Sequence, residues 1–450
     1  MQSVFDDTGF QEKSKLFQEK GVKGIKETRT APSWFKLDNA AKIYPSVRTE
    51  NWSSMYRVSF TLDTPIDEAL LQKAVADVLP RFPNFTARLR RGFFWFYFEY
   101  NDRPLDVSKE QGHPLMPIRS KENNYHLFRI LYYDCRISLE AFHSLADGGG
   151  AMVFMKTLVA RYLYYLGVEV KCEDGVKSIF DMATPGEMED AHARLPIKGA
   201  LLSRAEQKAF QLPGRREMAH TLHVIRGRME AQAVISKAKE MGVTVTEYMV
   251  GVFAFCLLQI QKEGKHDMKR PVKVSVPVNM RRFLKTDTLR NFSFYTNVAV
   301  DPRFGEYTFP EVVNLVHHYL RYATNEKFLF AGMATNVASE QSWFVRAVPL
   351  FLKNIIMGAY YRKFGEALCT TTISNLGRIT FPKEMAEHIT DVQVFLGPGM
   401  RGRSHASMVS FGDSLCLYFS RNLKAPLLER EVFRFLVKQG IHVTITGNQE

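Results

Sequence analysis

A histidine and an aspartate stand four positions apart in Ala141-Phe142-His143-Ser144-Leu145-Ala146-Asp147, and Gly148-Gly149-Gly150 follow directly. This is a poor way to build a core and a good way to hold one imidazole. An alcohol is a weak nucleophile at neutral pH because its proton is held tightly. A base whose pKa lies near the working pH removes that proton as the new bond forms. Histidine is the side chain whose unperturbed pKa lies there. A positioned proton transfer of this kind is worth ~10²–10⁴ in rate. His143 is therefore the candidate general base.

Asp147 has two possible tasks. It could accept a proton from the imidazole, as in a hydrolase triad. It could instead brace the loop by pairing with an arginine, because a buried aspartate needs such a partner. The turn between the two residues aims Asp147 back into the protein, which favours bracing. The expected donor is Arg281, in Val276-Pro277-Val278-Asn279-Met280-Arg281-Arg282. The plainer reading of His143 is a structural histidine before a turn, and one short motif does not settle the matter.

The neighbouring elements explain how His143 could be positioned. The run His126 to Phe142 is rich in aromatic and β-branched residues and predicts one long strand, or two paired strands with a bend near Asp134. The three glycines permit a tight turn and close backbone approach. Beyond them Phe154, Leu158 and Tyr162 fall on one helical stripe. His143 thus belongs at a strand end, on the loop entering a helix.

At 450 residues the chain suits two domains, and its 46% apolar and 24% charged composition is that of a soluble globular protein. The first 30 residues are polar and lysine-rich and do not read as a signal peptide. Five scattered cysteines form no CxxC and no metal cluster; no metal is expected, and the cysteines read as buried thiols of a cytoplasmic protein. No segment has the ~18 continuous apolar residues of a membrane span. Tyr248–Ile260 has the length of a core helix. Trp343–Tyr361, interrupted by Arg346, Pro349 and Lys353, could lie on a membrane or an oily substrate, but a helix packed on its own domain is the simpler expectation. The net charge of +13 invites a nucleic-acid reading, yet the basic residues are dispersed and carry no nucleic-acid motif. A basic cleft also suits an anionic phosphate-bearing substrate such as coenzyme A.

Alternation predicts strands at Ser54–Leu62 and Phe93–Tyr100, with a helix at Ile66–Leu79 between them. Residues 184–219 are charged and proline-punctuated and read as a crossover linker. A second half follows: strand His220–Met229, helix Ala231–Lys239, and a Thr244/Glu247 capping box opening a helix over Tyr248–Gln261. Further strands are expected at Lys273–Val278, Asn291–Val300, Cys369–Ser374, Asp391–Phe395, Ser407–Phe411 and Ser414–Ser420, with a final helix beginning near Phe433. The organisation expected is an N-terminal half, 1–183, carrying the histidine motif, the linker 184–219, and a C-terminal half, 220–450.

His143, Asp147 and Gly148 fit the HxxxDG pattern, and the chain resembles the chloramphenicol acetyltransferase-like superfamily, most of all bacterial alcohol acetyltransferases. Pro277-Val278-Asn279-Met280-Arg281 resembles the mid-chain arginine motif. Arg290-Asn291-Phe292 resembles the Asn-Phe strand that follows it. Thr372-Ile373-Ser374-Asn375-Leu376-Gly377 resembles the Ser-Asn-x-Gly segment of the second lobe. Their order along the chain carries the resemblance further than any one of them. Phe142 stands where many relatives have a first histidine. The plant DFGWG motif is absent, which speaks against that branch, and with no adenylation or carrier domain read in these 450 residues, a free-standing enzyme is expected rather than a peptide-synthetase module.

The resemblance implies an α/β (α+β) fold of two similar lobes with an interlobe tunnel. His143 would sit mid-tunnel as catalytic base, with Gly148 behind it and Asp147 and Arg281 in structural roles. Ser374, Asn291 and Gly377 would line the tunnel. Asn375 or Ser374 would steady the oxyanion, although Ser374-Asn375-Gly377 reads equally well as a turn. The activity implied is acyl-CoA-dependent acyltransfer, from acetyl-CoA or another acyl-CoA as co-substrate to an alcohol, by a monomer with no permanently bound cofactor. The alternatives are a free-standing condensation-type enzyme using an acyl carrier protein or an amine acceptor, and a non-catalytic acyl-CoA or lipid binder.

Overall fold

The computed structural model describes residues 33–48, 54–195, 206–264, 266–361, 365–397, 399 and 403–448. The chain divides into Met1–Phe35 and a body, Lys36–Glu450, to which everything below refers.

In the first half of the body, helix α1 (Ile43–Val47) precedes strand β1 (Met55–Leu62) and helix α2 (Glu68–Val78). Asp67 caps α2 by accepting the Leu70 N–H at 2.9 Å. The aromatic run expected as one strand over Phe93–Tyr100 is a hairpin of β2 (Ala87–Arg91) and β3 (Phe96–Tyr100), with Gly92 N–H closing the turn onto the Trp95 carbonyl. A two-residue strand, β4 (Ser108–Lys109), is followed by β5 (Phe128–Tyr133) and β6 (Arg136–Phe142), which form the hairpin expected over 126–142. Asp134 occupies its turn at φ +49, a left-handed conformation that aspartate tolerates better than most residues. Helix α3 (Gly148–Tyr165) comes next.

The second half supplies β7 (His223–Glu230), α4 (Ala231–Glu240), α5 (Val245–Glu263), β8 (Val272–Asn279) and β9 (Ser293–Val300). Helices α6 (Phe309–Ala323), α7 (Glu326–Gln341), α8 (Trp343–Ala347) and α9 (Leu350–Tyr360) follow. Then come β10 (Thr371–Arg378), β11 (Ile389–Leu396), β12 (Ser404–Phe411), β13 (Ser414–Arg421), α10 (Leu427–Lys438) and β14 (Thr444–Gly447). The final helix therefore starts before Phe433, which sits mid-helix with its buried face on the core.

Two larger sheets organise these strands, apart from the β2–β3 hairpin, which belongs to a separate small sheet. The first has order β11-β1-β6-β5-β4 and the second β9-β8-β10-β12-β13-β7-β14. β11 comes from the second half of the chain yet pairs antiparallel with β1, Val394 opposite Val58. The first sheet is therefore not built from the first half alone, and the division at 184–219 does not coincide with the sheets. In the second sheet β10 runs parallel to both β8 and β12.

Each sheet packs on a helix. Phe154 of α3 meets Phe128 of β5 edge-on, with centroids 5.5 Å apart. Phe253 of α5 stacks on Phe419 of β13 at 5.3 Å. α5 is the buried core helix that its sequence predicts, capped by reciprocal Thr244 and Glu247 contacts. No single described helix is long and apolar enough to cross a membrane; α4 and α5 meet both conditions only together, across an 82° bend.

Segment 184–195 is a built connection rather than a loose linker. Thr184 and Glu187 form a second capping box, legible as Thr-Pro-Gly-Glu in the sequence but overlooked beside the proline. Arg81 donates two hydrogen bonds to the Glu187 carboxylate, at 2.7 and 3.0 Å, and the Leu289 N–H donates to the Glu187 carbonyl. Residues 196–205 lie outside the described residues. The expectation of buried thiols holds for Cys256 and Cys416; Cys172 is exposed, on a loop after α3, and Cys135 and Cys369 are partly exposed.

Candidate active site

Strand β6 ends at Phe142 and delivers His143 to the loop before α3. Its backbone N–H donates to the Ser54 carbonyl at 2.9 Å, which holds the strand end to the start of β1. Tyr44 of α1 stacks on the imidazole, with centroids 4.8 Å apart and planes 18° from parallel. Tyr56 of β1 meets it edge-on at 5.0 Å. The ring is thus held from two sides by aromatic rings brought in by separate elements.

The imidazole Nδ1 lies 3.2 Å from Oδ1 of Asn291. The other end of that carboxamide settles its orientation. Nδ2 of Asn291 donates to the Ser144 carbonyl at 3.3 Å and to the Asp38 carboxylate at 3.4 Å. Both are acceptors, so the carboxamide oxygen must face the histidine. An oxygen there accepts, so Nδ1 carries the hydrogen and Nε2 keeps its lone pair. A neutral imidazole with a free Nε2 is the form a general base requires. Burial pushes the His143 pKa below its ordinary value, against the opposing pull of its own backbone carbonyl, Asp147, Asn291 and Asp38. Burial thus favours the neutral ring.

Asp147 is the N-cap of α3. Its Oδ1 accepts the Gly149 and Gly150 N–H groups, each at 3.1 Å. Arg281 approaches as a fork, Nη1 donating to Oδ2 at 2.8 Å and Nη2 to Oδ1 at 3.1 Å. The Phe292 N–H donates to Oδ2 at 2.9 Å. Burial alone would raise the carboxyl pKa, but the Arg281 guanidinium and the backbone donors together hold it below the ordinary range. These contacts are those of a brace. Among the described residues, the imidazole side chain bonds to Asn291 and to the backbone of His143 itself, and not to Asp147.

Arg281 anchors the brace from the end of β8. It also donates to the Thr288 and Arg290 carbonyls, at 2.9 and 2.6 Å, and so ties 288–290 to the start of α3. Of the glycines, Gly150 is the one this closeness demands: a Cβ there would lie 2.0 Å from the Leu289 carbonyl oxygen. At Gly148, singled out in the sequence, a Cβ would meet Leu376 at an ordinary 3.7 Å.

The second-half residues divide. Asn291, expected along a tunnel, is buried at 2% exposure and bonded to His143. Asn375 is exposed, and its carboxamide is committed elsewhere: Nδ2 donates to Thr246 Oγ1 at 2.8 Å and Oδ1 accepts the Gly377 N–H at 2.8 Å. A register shift in the β10–β12 pairing between Asn375 and Gly377, with Gly377 at φ +76, makes the turn that aims it so. Ser374 precedes this turn, opposite Ser407 of β12, and is partly exposed. Leu376 is the residue of the segment that comes over Gly148.

Sequence reasoning missed Asp38, Tyr44 and Tyr56. Asp38 is fully buried; burial raises its carboxyl pKa, while Arg290, at 3.7 Å, opposes the rise. Its Oδ1 accepts the Ala41 N–H at 2.7 Å, fixing the turn into α1. An aspartate three residues before an alanine was the only local signal of that turn.

No protein-family model and no curated protein matches the sequence. Solved structures do match. Polyketide synthase associated protein 5 from Mycobacterium tuberculosis shares 14% identity with a TM-score of 0.59, over 89% of this chain and 96% of that one. The first condensation domain of the CDA synthetase shares 14% with a TM-score of 0.57, over 91% and 96%. The chain has the two-lobed condensation-domain fold. The trichothecene 15-O-acetyltransferase from Fusarium sporotrichioides shares that fold, at 9% identity and a TM-score of 0.58, over 90% of this chain and 94% of that one. At such identities the likeness concerns the fold, and this chain's chemistry has to be argued from its own residues.

Proposed function

We propose that the protein is an acyltransferase that moves an acetyl or other acyl group from coenzyme A to an alcohol, with His143 as general base. The observation that carries this reading is the orientation of Asn291, which leaves Nε2 of a neutral imidazole free to accept a proton. The fold shared with an acetyltransferase and a condensation domain supports it.

The steps balance without a metal or a covalent acyl-enzyme. Nε2 takes the hydroxyl proton as the oxygen attacks the thioester carbonyl carbon. The tetrahedral intermediate collapses, the carbon–sulfur bond breaks, and the imidazolium returns its proton to the thiolate. Throughout, Nδ1–H stays bonded to Asn291, so the ring neither flips nor changes tautomer between the two transfers. Asp147 and Arg281 hold the loop and do not handle the proton.

A second reading rests on the condensation-domain likeness: a donor held by an acyl carrier protein, or an amine acceptor. The same base serves both. The deciding experiment incubates the protein with acetyl-CoA and a panel of alcohols and amines and measures free thiol. Thiol release that depends on an alcohol and is lost in His143→Ala supports the first reading. Release that needs an amine, or that appears only with a carrier-bound donor, supports the second. Tight acyl-CoA binding without any turnover would mark a non-catalytic binder.

A further inference from the structure

The segment Trp343–Tyr361 faces the opposite way from the one its composition suggests. In α9 the cation is turned inward: Lys353 is buried, its ammonium donates to the Phe94 carbonyl at 2.9 Å, and it lies 3.7 Å from the centre of the Trp95 ring. The apolar side chains are turned outward. Phe351, Ile355 and Ile356 are 63%, 64% and 61% exposed, and Trp343 and Phe344 of α8 stack on each other in solvent. The tip of the β2–β3 hairpin joins this face, because the Leu350 N–H donates to the Phe93 carbonyl at 2.8 Å while the Phe93 ring is 71% exposed. Large aromatic and aliphatic side chains gathered on one exposed face, drawn from a helix pair and a hairpin tip, mark an interaction surface rather than scattered surface residues.

The charges around this face say what covers it. Arg91, at the end of β2, and Arg346, in α8, are both exposed. No acidic residue occurs in 341–361 or in 88–98. A second copy of the same face would offer these arginines no carboxylate to pair with. Against an anionic bilayer the same arrangement is complementary: aromatic and aliphatic side chains enter the headgroup boundary while arginines pair with lipid phosphates. α9 is apolar but far too short to span, so it would lie in the interface plane. It packs on α1, and α1 carries the Tyr44 ring that stacks on His143.

We propose that the face formed by α8, α9 and the β2–β3 tip docks the protein on an anionic lipid surface. The test is co-sedimentation of the full chain with vesicles of phosphatidylcholine alone or mixed with phosphatidylglycerol. Binding is expected to the mixed vesicles and to weaken with salt. Phe351→Ser with Ile355→Ser removes two side chains that already face solvent, so the fold is retained, and should weaken binding by about tenfold or more. Arg91→Gln with Arg346→Gln should abolish the preference for the anionic vesicles. No binding by the wild-type chain, or equal binding by either double variant, overturns the proposal. So does a wild-type dimer in light scattering that the Phe351/Ile355 variant converts to a monomer, since the face is then covered by a second copy. The His143→Ala variant should bind vesicles like wild type, which separates this proposal from the acyltransfer reading.

Discussion

Asn291 turns its carboxamide oxygen to Nδ1 of His143, 3.2 Å away and 148 positions back in the chain, and its nitrogen to two acceptors. Asn291 thereby joins the carbonyl of His143 itself in selecting the imidazole tautomer. Asn291→Leu should leave that carbonyl alone to hold the Nδ1 hydrogen and lower turnover by about tenfold or more, with little change in the KM for either substrate. Asn291→Asp puts a carboxylate against Nδ1 and should raise the imidazole pKa. Steady-state kinetics against pH checks both; an unchanged profile in Asn291→Asp removes the contact from the mechanism.

The pH dependence of the wild-type enzyme follows from the burial of His143. The neutral ring is the active form and its pKa is lowered. The acidic limb of kcat/KM should therefore fall below about pH 6.5, the ordinary imidazole value. His143→Ala should cost at least ~10²-fold in kcat and abolish that limb. A limb above the ordinary value contradicts the neutral, aromatic-packed ring.

Asp147 should act on stability as well as on activity. Removing one partner of a buried pair leaves the other uncompensated, at a cost of roughly 3 kcal/mol or more. Asp147→Ala and Arg281→Met should each lower the unfolding free energy by that order, and the double variant should cost less than the sum. The folded pKa of Asp147 lies below its unfolded value. Its contribution is thus fully present above the unfolded pKa near ~3.9 and is lost as pH falls through the folded one. Denaturant unfolding at pH 7 and in acid measures it: the penalty of Asp147→Ala should shrink in acid.

The glycines should separate cleanly. Gly150→Ala forces a methyl group into the Leu289 carbonyl and should destabilise by about 1–3 kcal/mol, with loss of turnover as α3 moves. Gly148→Ala has room and should keep its melting temperature. Equal melting curves for the two variants would mean that α3 and 288–290 are not in contact.

A buried charge cluster offers a further test beneath the site. Glu140 of β6, fully buried, accepts from Arg57 of β1 at 2.8 Å and from Arg129 of β5 at 2.7 Å, and also from the Leu115 N–H at 2.7 Å. Glu140→Leu leaves two arginines and an amide without their shared acceptor and should cost roughly 3–5 kcal/mol in denaturant unfolding.

Local physics makes much of this molecule legible in its sequence alone. The aromatic and β-branched run 126–142, the bend near Asp134 and the glycines after Asp147 each involve neighbours in the chain, so residue type and spacing suffice to place His143 between a strand and a helix. The α5 helix and its Thr244/Glu247 cap are legible for the same reason. A buried carboxylate must find a cation, but among the chain's 60 lysines and arginines only the resemblance of Pro277–Arg281 to the mid-chain arginine motif points to Arg281 as the partner of Asp147.

The tertiary structure alone decided what depended on distant partners. Asn375 was expected to act beside His143 and Asn291 only to line the tunnel; a bulge and a positive φ at Gly377 turn Asn375 to Thr246, and Asn291 bonds the imidazole. β11 crosses to the first sheet because its apolar residues find β1 there, not because its own pattern differs from its neighbours. The sequence left open whether Trp343–Tyr361 packs on its own domain or faces outward, and the structure decides for an outward face of α9. The pattern Leu350-Phe351-Leu352-Lys353-Asn354-Ile355-Ile356 reads as an apolar helix to be buried. Only the Trp95 ring and the Phe94 carbonyl, more than 250 positions earlier, supply the partners that draw Lys353 inward and leave the apolar side chains in solvent.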